Sequence, residues 1–450
     1  WRAVMGEEYP PANVERVTDA VHCALSKHPK AAQGIAIGYD TRRDSGQFAR
    51  QVADRLAVLG WKVFLSSTVV PTPAVSLRVR DRGHCAGIVI TASHNPAEFN
   101  GFKIKGELGG PASTVLIAAV EAELDRPCTA QPGGQVLVED FIDPYLKHVA
   151  SFIDLDVIRR SGLRIAHHAM HGAGGDLVAR LLAPMGVQAY AANPDPTFGG
   201  IPPEPTAVNT RPFREKVHSM SLDLAMVTDG DSDRIGLVDA YGEFVDAQFI
   251  FSLALEYLVE KRKLGGKVCK TNAVSERVDR ICSRLGLELE TLPIGFKHVA
   301  ARMEREKILI GGEEAGGLGI QAYLPERDGI MMGLLIAERM AVEGRSLEAL
   351  ISDVQKKYGE LHYERWDLKL TPEARDSFVA KWKAPGPGEV AGHRVSGYDT
   401  LDGLKMRFEN GGWLLVRLSG TEPVVRLYCE MSEAAQARKI LAEVAGEFRQ

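Results

Sequence analysis

Apolar residues in the first part of the chain follow two alternating patterns. Unbroken apolar runs at 35–39, 62–66 and 87–90 each stop at a polar turn, and this pattern predicts short buried strands. Between the runs, apolar residues at helical spacing over 13–28 and 46–59 predict amphipathic helices. Strands that alternate with helices at this spacing favour a doubly wound, mainly parallel α/β sheet.

The pattern breaks and restarts further along the chain. A change in composition near 155–162 precedes a predicted strand at 163–166, and a helix over 248–263 opens another α/β unit. Beyond residue 360, polar and apolar segments alternate with at least two predicted strands and a C-terminal helix from Ala434. The breaks therefore suggest several domains, as does the length of 450 residues.

Composition and charge exclude several classes of protein. Hydrophobic residues make up 45% and charged residues 25% of the chain, as in soluble globular proteins. The net charge of −5 leaves no basic excess for a nucleic-acid backbone. We see neither a bilayer-spanning apolar stretch nor a signal-peptide pattern, so we expect a cytoplasmic protein without nucleic-acid or membrane partners. The sequence begins at Trp1 without an initiator methionine, and we expect further residues upstream.

The cysteines are scattered along the chain without a CxxC pair. They are Cys23, Cys85, Cys128, Cys269, Cys282 and Cys429. This scatter favours reduced thiols over a disulfide framework or a zinc site. We expect all of them to behave as small buried hydrophobic residues.

A serine lies where the predicted strand at 87–90 ends. The strand is followed by Thr-Ala-Ser-His-Asn-Pro at 91–96, which are turn residues. The turn presents the hydroxyl of Ser93 at the strand end, with the imidazole of His94 beside it. An ordinary polar loop would explain this pair alone, so its chemistry depends on the motifs that accompany it.

Three carboxylates follow another apolar run at alternate positions. Asp229, Asp231 and Asp233 lie on a tight loop after the predicted strand at 224–228. Alternate carboxylates on such a loop can converge on one cation. Mg²⁺ prefers about six oxygen ligands, and water or phosphate can supply some of them. The loop is therefore a candidate magnesium site.

Two other interpretations of this acidic loop are less satisfactory. An EF-hand needs glycine at its sixth position, where Arg234 stands, and glutamate at its twelfth, where Ala240 stands. A phosphatase of the type that uses the first aspartate of a DxD pair as its nucleophile is the second alternative. It would leave the serine loop without a role.

Two further loops have side chains suited to a sugar phosphate. The string Gly-Gly-Glu-Glu-Ala-Gly-Gly at 311–317 contains Glu313, and a carboxylate can accept hydrogen bonds from two adjacent sugar hydroxyls. The string Arg-Leu-Ser-Gly-Thr-Glu-Pro-Val-Val-Arg at 417–426 combines small hydroxyl residues with arginines. Backbone N–H groups, hydroxyls and guanidinium groups together can bind a phosphate. An exposed hairpin turn is the alternative for this second loop.

These four motifs, TASHNPAEFNGFKIKG, DGDSDR, GGEEAGG and RLSGTEPVVR, occur in this order across nearly the whole chain. Together they resemble the α-D-phosphohexomutases, the phosphoglucomutase/phosphomannomutase family. The resemblance implies four domains around a central cleft: three mixed α/β units at 1–155, 156–248 and 249–360, and a smaller α+β unit at 361–450. It also implies interconversion of hexose 1-phosphate and hexose 6-phosphate through a phosphoserine and a hexose 1,6-bisphosphate, with glucose 1,6-bisphosphate as activator.

The resemblance also implies roles for individual residues. Ser93 would carry the phosphoryl group, Lys103 would act as acid and base, and His94 and Arg234 would orient the transferring group. Mg²⁺ would be bound by Asp229, Asp231, Asp233 and the phosphorylated Ser93. Substrate contacts are expected from Arg2, Arg42, Gly295, Phe296, Lys297, Glu313, Arg417, Ser419, Gly420, Thr421 and Arg426.

For some of these residues the sequence alone allows simpler interpretations. Arg2 could be a solvated terminal arginine, and Arg42 could belong to an ordinary charged loop before a helix that Ser45 caps. Lys297 could be a solvent-exposed lysine at a helix start.

The sugar loop departs from many relatives, which read Gly-Glu-x-Ser-Gly-His. Ala315 removes one hydroxyl, and Gly317 removes an imidazole that would assist proton transfer. The glycine occurs in phosphoglucomutase-like branches, so glucose phosphates are favoured over glucosamine phosphates, with mannose phosphates as a further alternative. A hydrolase and a non-catalytic sugar-phosphate sensor stay open as other functions. We expect a monomer or a homodimer.

Overall fold

Four β-sheets follow one another along the chain in the computed structural model, which describes residues 1–371, 382, 386–418 and 424–447. The first three sheets alternate with helices, and the fourth belongs to a smaller, sheet-rich unit. The predicted fold class is therefore confirmed. Short 3₁₀ turns occur at Ala31–Gln33, Phe198–Gly200 and His218–Met220.

The first sheet consists of β1 (Arg2–Val4), β2 (Ile35–Tyr39), β3 (Lys62–Ser66), β4 (Ala86–Ile90), β5 (Phe99–Lys105) and β6 (Gln135–Glu139). Its helices are α1 (Pro11–Leu25), α2 (Ser45–Val58), α3 (Thr72–Arg82), α4 (Thr114–Ala122), α5 (Ile142–Phe152) and α6 (Leu155–Arg160). Strands β4, β2, β3 and β6 are parallel as predicted, whereas β5 runs antiparallel to β4. The serine loop at 91–98 joins β4 to β5 and is too short for the crossover that a parallel pair needs.

The second sheet has the order β11-β10-β9-β7-β8 for strands β7 (Ile165–His168), β8 (Gln188–Tyr190), β9 (Leu224–Thr228), β10 (Ile235–Val238) and β11 (Phe244–Val245). Its helices are α7 (Leu177–Leu181) and α8 (Arg211–Val217). Strands β9 and β10 form an antiparallel pair that the acidic loop connects. The three aspartates therefore lie at one end of a buried hairpin.

The third sheet has the order β13-β12-β14-β15 for strands β12 (Lys267–Thr271), β13 (Leu289–Leu292), β14 (Ile308–Gly312) and β15 (Leu318–Gly319). Its helices are α9 (Ala247–Glu260), α10 (Arg277–Leu285), α11 (Phe296–Met303), α12 (Gly329–Glu343) and α13 (Leu347–Tyr358). The sugar loop connects β14 to β15, so Glu313 follows directly after a buried strand.

The fourth sheet is antiparallel. Its strands, in the order β16-β21-β20-β19-β18-β17, are β16 (His362–Lys369), β17 (Glu389–Val390), β18 (His393–Asp399), β19 (Leu404–Phe408), β20 (Trp413–Leu418) and β21 (Val424–Met431). Helix α14 (Ala434–Gly446) packs on this sheet. The predicted C-terminal helix from Ala434 is therefore confirmed.

The first three sheets share one continuous hydrophobic core. Buried side chains such as Val75, Leu237 and Leu335, one from each unit, belong to it. A second core fills the outer face of the first sheet. The fourth sheet encloses a core of its own, and a small cluster of Ala273 with Trp413, Leu415 and Tyr428 joins it to the third unit.

The helix and strand bounds follow the sequence pattern closely. The strand predicted at 62–66 is β3, and the helix predicted over 248–263 is α9, which begins after the side chain of Asp246 caps Gln248 and Phe249. Helix α10 begins at Arg277, after a turn in which the N–H of Val274 bonds to the carbonyl of Thr271. Within the described ranges, every helix is too short or too polar to traverse a lipid bilayer.

Candidate active site

The serine loop places Ser93 in a buried position at the end of β4. The residue is 1% exposed, its φ is +55°, and its N–H bonds to Thr91 Oγ1 at 2.8 Å. Its hydroxyl donates to Asp229 Oδ2 at 2.8 Å, and His94 Nδ1 lies 3.5 Å from the same serine oxygen. The predicted nucleophile and the first predicted metal ligand are therefore in direct contact across two domains.

The guanidinium group of Arg42 binds the backbone of the serine loop. Its Nε donates to Asp40, and its four remaining N–H groups reach the carbonyl oxygens of Ser93, Asn95, Pro96 and Phe99 at 2.5–3.0 Å. A guanidinium group has five N–H donors, so none is left for a substrate. Arg42 therefore positions the loop in this structure, and its predicted contact with substrate stays a prediction.

The acidic loop brings its three carboxylates together. One oxygen from each of Asp229, Asp231 and Asp233 lies within 4.8 Å of the others, and all three residues are buried. Among the described residues, Asp231 Oδ1 and Asp233 Oδ1 have no hydrogen-bond partner. A buried carboxylate oxygen without a partner is costly, and a divalent cation would satisfy both. The donor set therefore fits Mg²⁺.

The pKa values of the carboxyl groups in this loop are shifted in opposite directions. Burial, and then the like charges of Asp231 and Asp233, raise the pKa of Asp229 well above its ordinary value. Burial also opposes ionisation of Asp231, but Lys103, Thr72 and Arg327 together outweigh it and lower the pKa of that carboxyl. Two of the three groups are thus held as anions by cations of the protein, and a bound divalent cation would favour ionisation of the third.

Cations surround the acidic loop. Lys103 Nζ lies between Asp231 and Asp233, 3.2 Å from the second carboxylate. Arg327 donates to Asp233 at 2.6 Å and to Glu313 at 2.9 Å, and so connects the acidic loop to the sugar loop. The motifs predicted separately from the sequence therefore form one network.

Close backbone approach fixes the acidic loop against the serine loop. A Cβ atom on Gly230 would lie 2.5 Å from the carbonyl oxygen of Ser93, so glycine is required there. A Cβ on Gly172 would lie 2.6 Å from the carbonyl oxygen of Gly230, which explains the glycine-rich turn after β7.

An open cavity of about 420 Å³ lies against this network. Residues of all four domains line it: Trp1, Arg2, His94, Asn95, Phe99, Glu204, Arg234, Ile294, Glu313, Glu314, Ala315, Arg365 and Arg426. Its volume is in the range of small-molecule sites, and arginines from three domains face it. An anionic ligand with hydroxyl groups would suit these walls.

Several predicted side chains lie at this cavity. Arg2 donates to Asn95 Oδ1 at 3.0 Å, and the main-chain N–H of Arg234 donates to Asp229 Oδ1 at 3.1 Å. Burial, followed by the charges of Arg234 and Arg2, lowers the pKa of His94 well below its usual range. The imidazole is therefore neutral near pH 7 and can accept a hydrogen bond.

The fourth domain contains the residues that the sequence predicted to bind phosphate. Arg426 lines the cavity, and Arg417 Nε bonds to Asp402 Oδ1 at 2.8 Å. Ser419, Gly420 and Thr421 lie outside the described residues, so their predicted roles remain predictions.

The predicted contact loop at 295–297 is only partly at the cavity. Ile294 lines it, whereas Phe296 is 3% exposed and packs in a core with Val299 and Met303. The guanidinium of Arg327 lies 5.4 Å from the centre of the Phe296 ring, and the predicted substrate contact of Phe296 stays a prediction. Gly295 and the exposed Lys297 stand at the start of α11, and their roles stay predictions.

The sequence analysis missed four residues of this site. Thr72 donates to Asp231 at 2.5 Å, Arg327 joins two loops, and Glu204 and Arg365 form an ion pair at 3.7 Å in the wall of the cavity. Arg327 follows the string Tyr-Leu-Pro-Glu, and Thr72 lies in Pro-Thr-Pro at the start of α3, so a proline beside each residue was the available signal. Arg365 lies on a strand without any motif.

The chain matches the four consecutive domains described for phosphoglucomutase/phosphomannomutase. The matches are α/β/α domain I at residues 1–129, α/β/α domain II at 143–242, α/β/α domain III at 246–358 and the C-terminal domain at 374–447. The chain belongs to the phosphoglucomutase/phosphomannomutase family. It is an enzyme of the phosphotransferase class, as the mutases that it resembles are.

Relatives of this family member carry different sugar names. A phosphoglucomutase/phosphomannomutase of Thermococcus kodakarensis is 29% identical over 98% of this chain and 95% of its own. A crystal structure from Thermus thermophilus that carries the name phosphomannomutase superposes with a TM-score of 0.88 and 31% identity, over 100% of this chain and 98% of that one. Other curated relatives are named phosphoglucomutase and phosphoglucosamine mutase.

The fold extends to more distant mutases. An N-acetylphosphoglucosamine mutase of Aspergillus fumigatus, solved in complex with glucose 1,6-bisphosphate, has a TM-score of 0.55 and 16% identity over 98% of this chain and 99% of its own. At this identity the likeness concerns the fold alone.

Proposed function

We propose that this family member interconverts hexose 1-phosphates and hexose 6-phosphates by passing a phosphoryl group through Ser93. The observation that carries the proposal is the contact between Ser93 Oγ and Asp229, at the edge of a cavity with arginine-rich walls. Phosphoryl transfer depends mainly on positioning and on stabilisation of negative charge. The serine loop positions Ser93, and the surrounding cations stabilise the negative charge of the phosphoryl group.

The proposed transfer has two halves. In the first, the bond between phosphorus and Ser93 Oγ breaks while a bond to the free hydroxyl of the sugar monophosphate forms. The sugar hydroxyl gives up its proton, and Ser93 Oγ takes up a proton as it leaves. The resulting hexose 1,6-bisphosphate turns over and returns its other phosphoryl group to Ser93 by the reverse process. The relative solved with glucose 1,6-bisphosphate is consistent with such an intermediate.

Two groups of this chain are placed to handle the proton. Lys103 lies on β5 beside the acidic loop, at the position of the family's acid–base lysine, and its ammonium bonds to Asp231 and Asp233. His94 lies 3.5 Å from Ser93 Oγ and is neutral near pH 7 because its pKa is lowered. We assign the proton transfer to Lys103 and the orientation of the phosphoryl group to His94 and Arg234.

Asp229, Asp231 and Asp233, together with a phosphoryl oxygen on Ser93, would hold Mg²⁺. When bound, the ion acts as a Lewis acid that withdraws charge from the phosphoryl oxygens. The two unpartnered oxygens of Asp231 and Asp233 support this assignment. Thr72 and Arg327 keep the same two carboxylates oriented through bonds to their other oxygens.

The phosphate that does not react is proposed to bind on the side of the fourth domain. Arg417 and Arg426 flank the predicted phosphate loop, and Arg365 lies on the same wall of the cavity. Glu313 is proposed to accept hydrogen bonds from two sugar hydroxyls, with its carboxylate oriented by Arg327. Both orientations of the bisphosphate would use this set of contacts.

The sugar loop supports glucose phosphates as the preferred substrates, with mannose phosphates second. A Cβ on Gly317 would lie 2.5 Å from Arg327 Cδ and 2.9 Å from Glu313 Oε2. Arg327 therefore occupies the space that a larger side chain at 317 would need. This packing gives a physical reason for the glycine in place of the histidine of many relatives.

A coupled assay tests the proposal. Full-length protein with Mg²⁺ and a trace of glucose 1,6-bisphosphate receives glucose 1-phosphate, mannose 1-phosphate or glucosamine 1-phosphate in parallel. We expect formation of the 6-phosphate, fastest from glucose, and no net release of inorganic phosphate. Phosphate release without isomerised sugar would instead identify a hydrolase. Binding without either product would identify a sensor.

A further inference from the structure

Two of the cysteines differ from the other four. Cys85, Cys269, Cys282 and Cys429 are buried, as the sequence predicted. Cys23 and Cys128 are partly exposed, so the expectation of burial is wrong for this pair. Their sulfur atoms lie 3.1 Å apart, although the residues are 105 positions apart in the sequence. The fold therefore brings two accessible thiols into contact at the surface of the first domain.

The two sulfurs of the pair have different surroundings. Burial, followed by the hydrogen bond to Cys23, raises the pKa of Cys128 to about 12. Cys128 therefore keeps its proton and can donate it to the sulfur of Cys23. Arg55 and Arg126 lie within electrostatic range of the pair.

His22 completes a group of three side chains that could bind a soft metal ion, but its hydrogen bonding argues against that role. Its nearest ligand atom lies within 4.8 Å of the two sulfurs. Trp61 Nε1 donates to His22 Nδ1 at 2.9 Å, so the neutral ring has its proton on Nε2. The lone pair on Nδ1 is engaged by Trp61, and Nε2 has none free. We therefore interpret Cys23 and Cys128 as a pair of thiols and not as metal ligands.

We propose that Cys23 and Cys128 form a reversible disulfide, a modification site separate from the catalytic cleft. The sulfurs need to approach by about 1 Å to reach bonding distance. Cys128 follows α4 in an irregular segment, which makes such a movement easier than one within a helix. Neither residue lines the cavity at Ser93, so the modification concerns the stability of the first domain and leaves turnover unchanged.

The oxidant is a small-molecule disulfide such as oxidised glutathione. The thiolate of Cys23 attacks one sulfur of glutathione disulfide, whose S–S bond breaks and releases one glutathione thiolate. Cys128 then loses its proton and attacks the sulfur of Cys23, which releases the second glutathione. Two protein thiols are oxidised, one glutathione disulfide is reduced, and the two protons end on the two glutathione molecules.

The new bond would reinforce a contact that the fold already makes. Arg16 on α1 forms a two-pronged ion pair with Asp125, three residues before Cys128. The disulfide would close a long loop, and closing a long loop restricts the unfolded chain most. We therefore expect the oxidised protein to unfold at a temperature a few degrees higher than the reduced protein.

The test exposes the reduced full-length protein to mixtures of oxidised and reduced glutathione. Intact mass, free-thiol count and peptide mapping follow the product. We expect loss of two hydrogen atoms, a linked Cys23–Cys128 peptide, a raised unfolding temperature and full reversal by dithiothreitol. Mutase activity of the same samples is measured in parallel, so that failure of this proposal is distinguished from failure of the proposed reaction.

Matched variants complete the test. Cys23→Ser and Cys128→Ser should each leave at most one glutathione on the remaining thiol, and the double variant should show no change in unfolding temperature after oxidation. Cys85→Ser should behave as wild type. Glutathione retained on both thiols of the wild type, or a pair that stays reduced in oxidised glutathione alone, would overturn the proposal.

Discussion

The first three domains and the fourth domain differ in how their cores are packed and in how far their cavity residues are buried. The first three share a continuous core, and their reacting side chains, Ser93 and the three aspartates, are almost entirely buried. The fourth has a separate core, and its cavity-facing arginines, Arg365 and Arg426, are each about a fifth exposed, with side-chain exposures of 24% and 22%. The side chains proposed to react therefore lie in units with a shared core, whereas those proposed to bind phosphate lie on a unit with a core of its own.

The junction of the fourth domain with the others combines polar contacts with the small apolar cluster around Trp413. Lys405 Nζ donates to the carbonyl of Asn272 at 2.8 Å and lies 3.8 Å from the ring centre of Trp413. The N–H of Ile294 bonds to Asp402 at 2.9 Å. Such a junction tolerates rigid-body movement more readily than a shared core does. We infer that a sugar bisphosphate can turn over at the fourth domain while the serine and acidic loops stay fixed.

The comparison predicts that the largest losses of turnover come from the buried serine. Ser93→Ala should lower kcat by about 10⁴-fold or more, because it removes the atom that carries the phosphoryl group. The coupled assay measures the loss, and intact mass shows that no phosphoryl group is retained after exposure to glucose 1,6-bisphosphate. The exposed Ser396→Ala in the fourth domain is the matched control. Turnover near the wild-type rate in Ser93→Ala would remove the phosphoserine from the mechanism.

The acidic loop should give the next largest effect. Asp231→Asn should lower kcat by about 10²–10³-fold and weaken the response to Mg²⁺, because the change removes one anionic ligand of the proposed ion. Chelation by EDTA should abolish wild-type turnover, and added Mg²⁺ should restore it. Titration of Mg²⁺ in the coupled assay measures both effects. Asp125→Asn, a change at an exposed ion pair, is the control, and an unchanged Mg²⁺ response in Asp231→Asn would exclude the metal assignment.

A change in the fourth domain should act mainly on binding. Arg417→Ala should raise KM by about 10–100-fold with a much smaller effect on kcat, because it removes a charge-assisted hydrogen bond to the proposed phosphate. Steady-state kinetics with glucose 1-phosphate measures the two constants separately. Arg394→Ala on the neighbouring β18 is an exposed control. A fall in kcat at constant KM would contradict the division of labour between the two regions.

Asp328 should affect stability and leave catalysis almost unchanged. It starts α12, accepts hydrogen bonds from Tyr145 and Tyr323, and burial raises its pKa to about 6. The unfolded chain ionises near the ordinary value of 3.8, so the free energy of unfolding should fall by up to about 3 kcal/mol as pH rises from 4 to 6, and stay level above that.

Asp328→Asn keeps the helix cap but cannot ionise, so this part of the pH dependence should disappear. Urea unfolding of wild type and variant between pH 4 and pH 7 measures the difference, with the surface change Asp54→Asn as control. Parallel slopes for wild type and Asp328→Asn would show that Asp328 is not the titrating group.

Local patterns in the sequence predicted local structure well. The strand at 62–66 and the acidic loop at 229–233 depend on residues that are close in sequence, so apolar runs and alternate carboxylates were enough to find them. The resemblance of four motifs to one family then predicted that they meet at one cleft. The serine loop and the acidic loop are in contact through the bond from Ser93 to Asp229, whereas part of the fourth motif lies outside the described residues.

The sequence did not predict the long-range contacts of the site. Arg42 reaches carbonyl groups that lie 51–57 positions away, and Arg327 reaches Asp233 across 94 positions. A backbone carbonyl is chemically the same in every residue, so no motif marks the partner of Arg42. Arg365 faces Glu204 across a domain boundary, and its role depends on how the fourth domain is placed.

Gly230 limits which substitutions the active site can accept. A single methyl group at this position would meet the carbonyl oxygen of Ser93 in another domain, so the spacing of the two catalytic loops is set by the absence of a side chain. A lineage that replaced Gly230 would have to shift two domains at once, so we expect this position to be depleted of all alternatives to glycine in any library selected for growth on the mutase reaction.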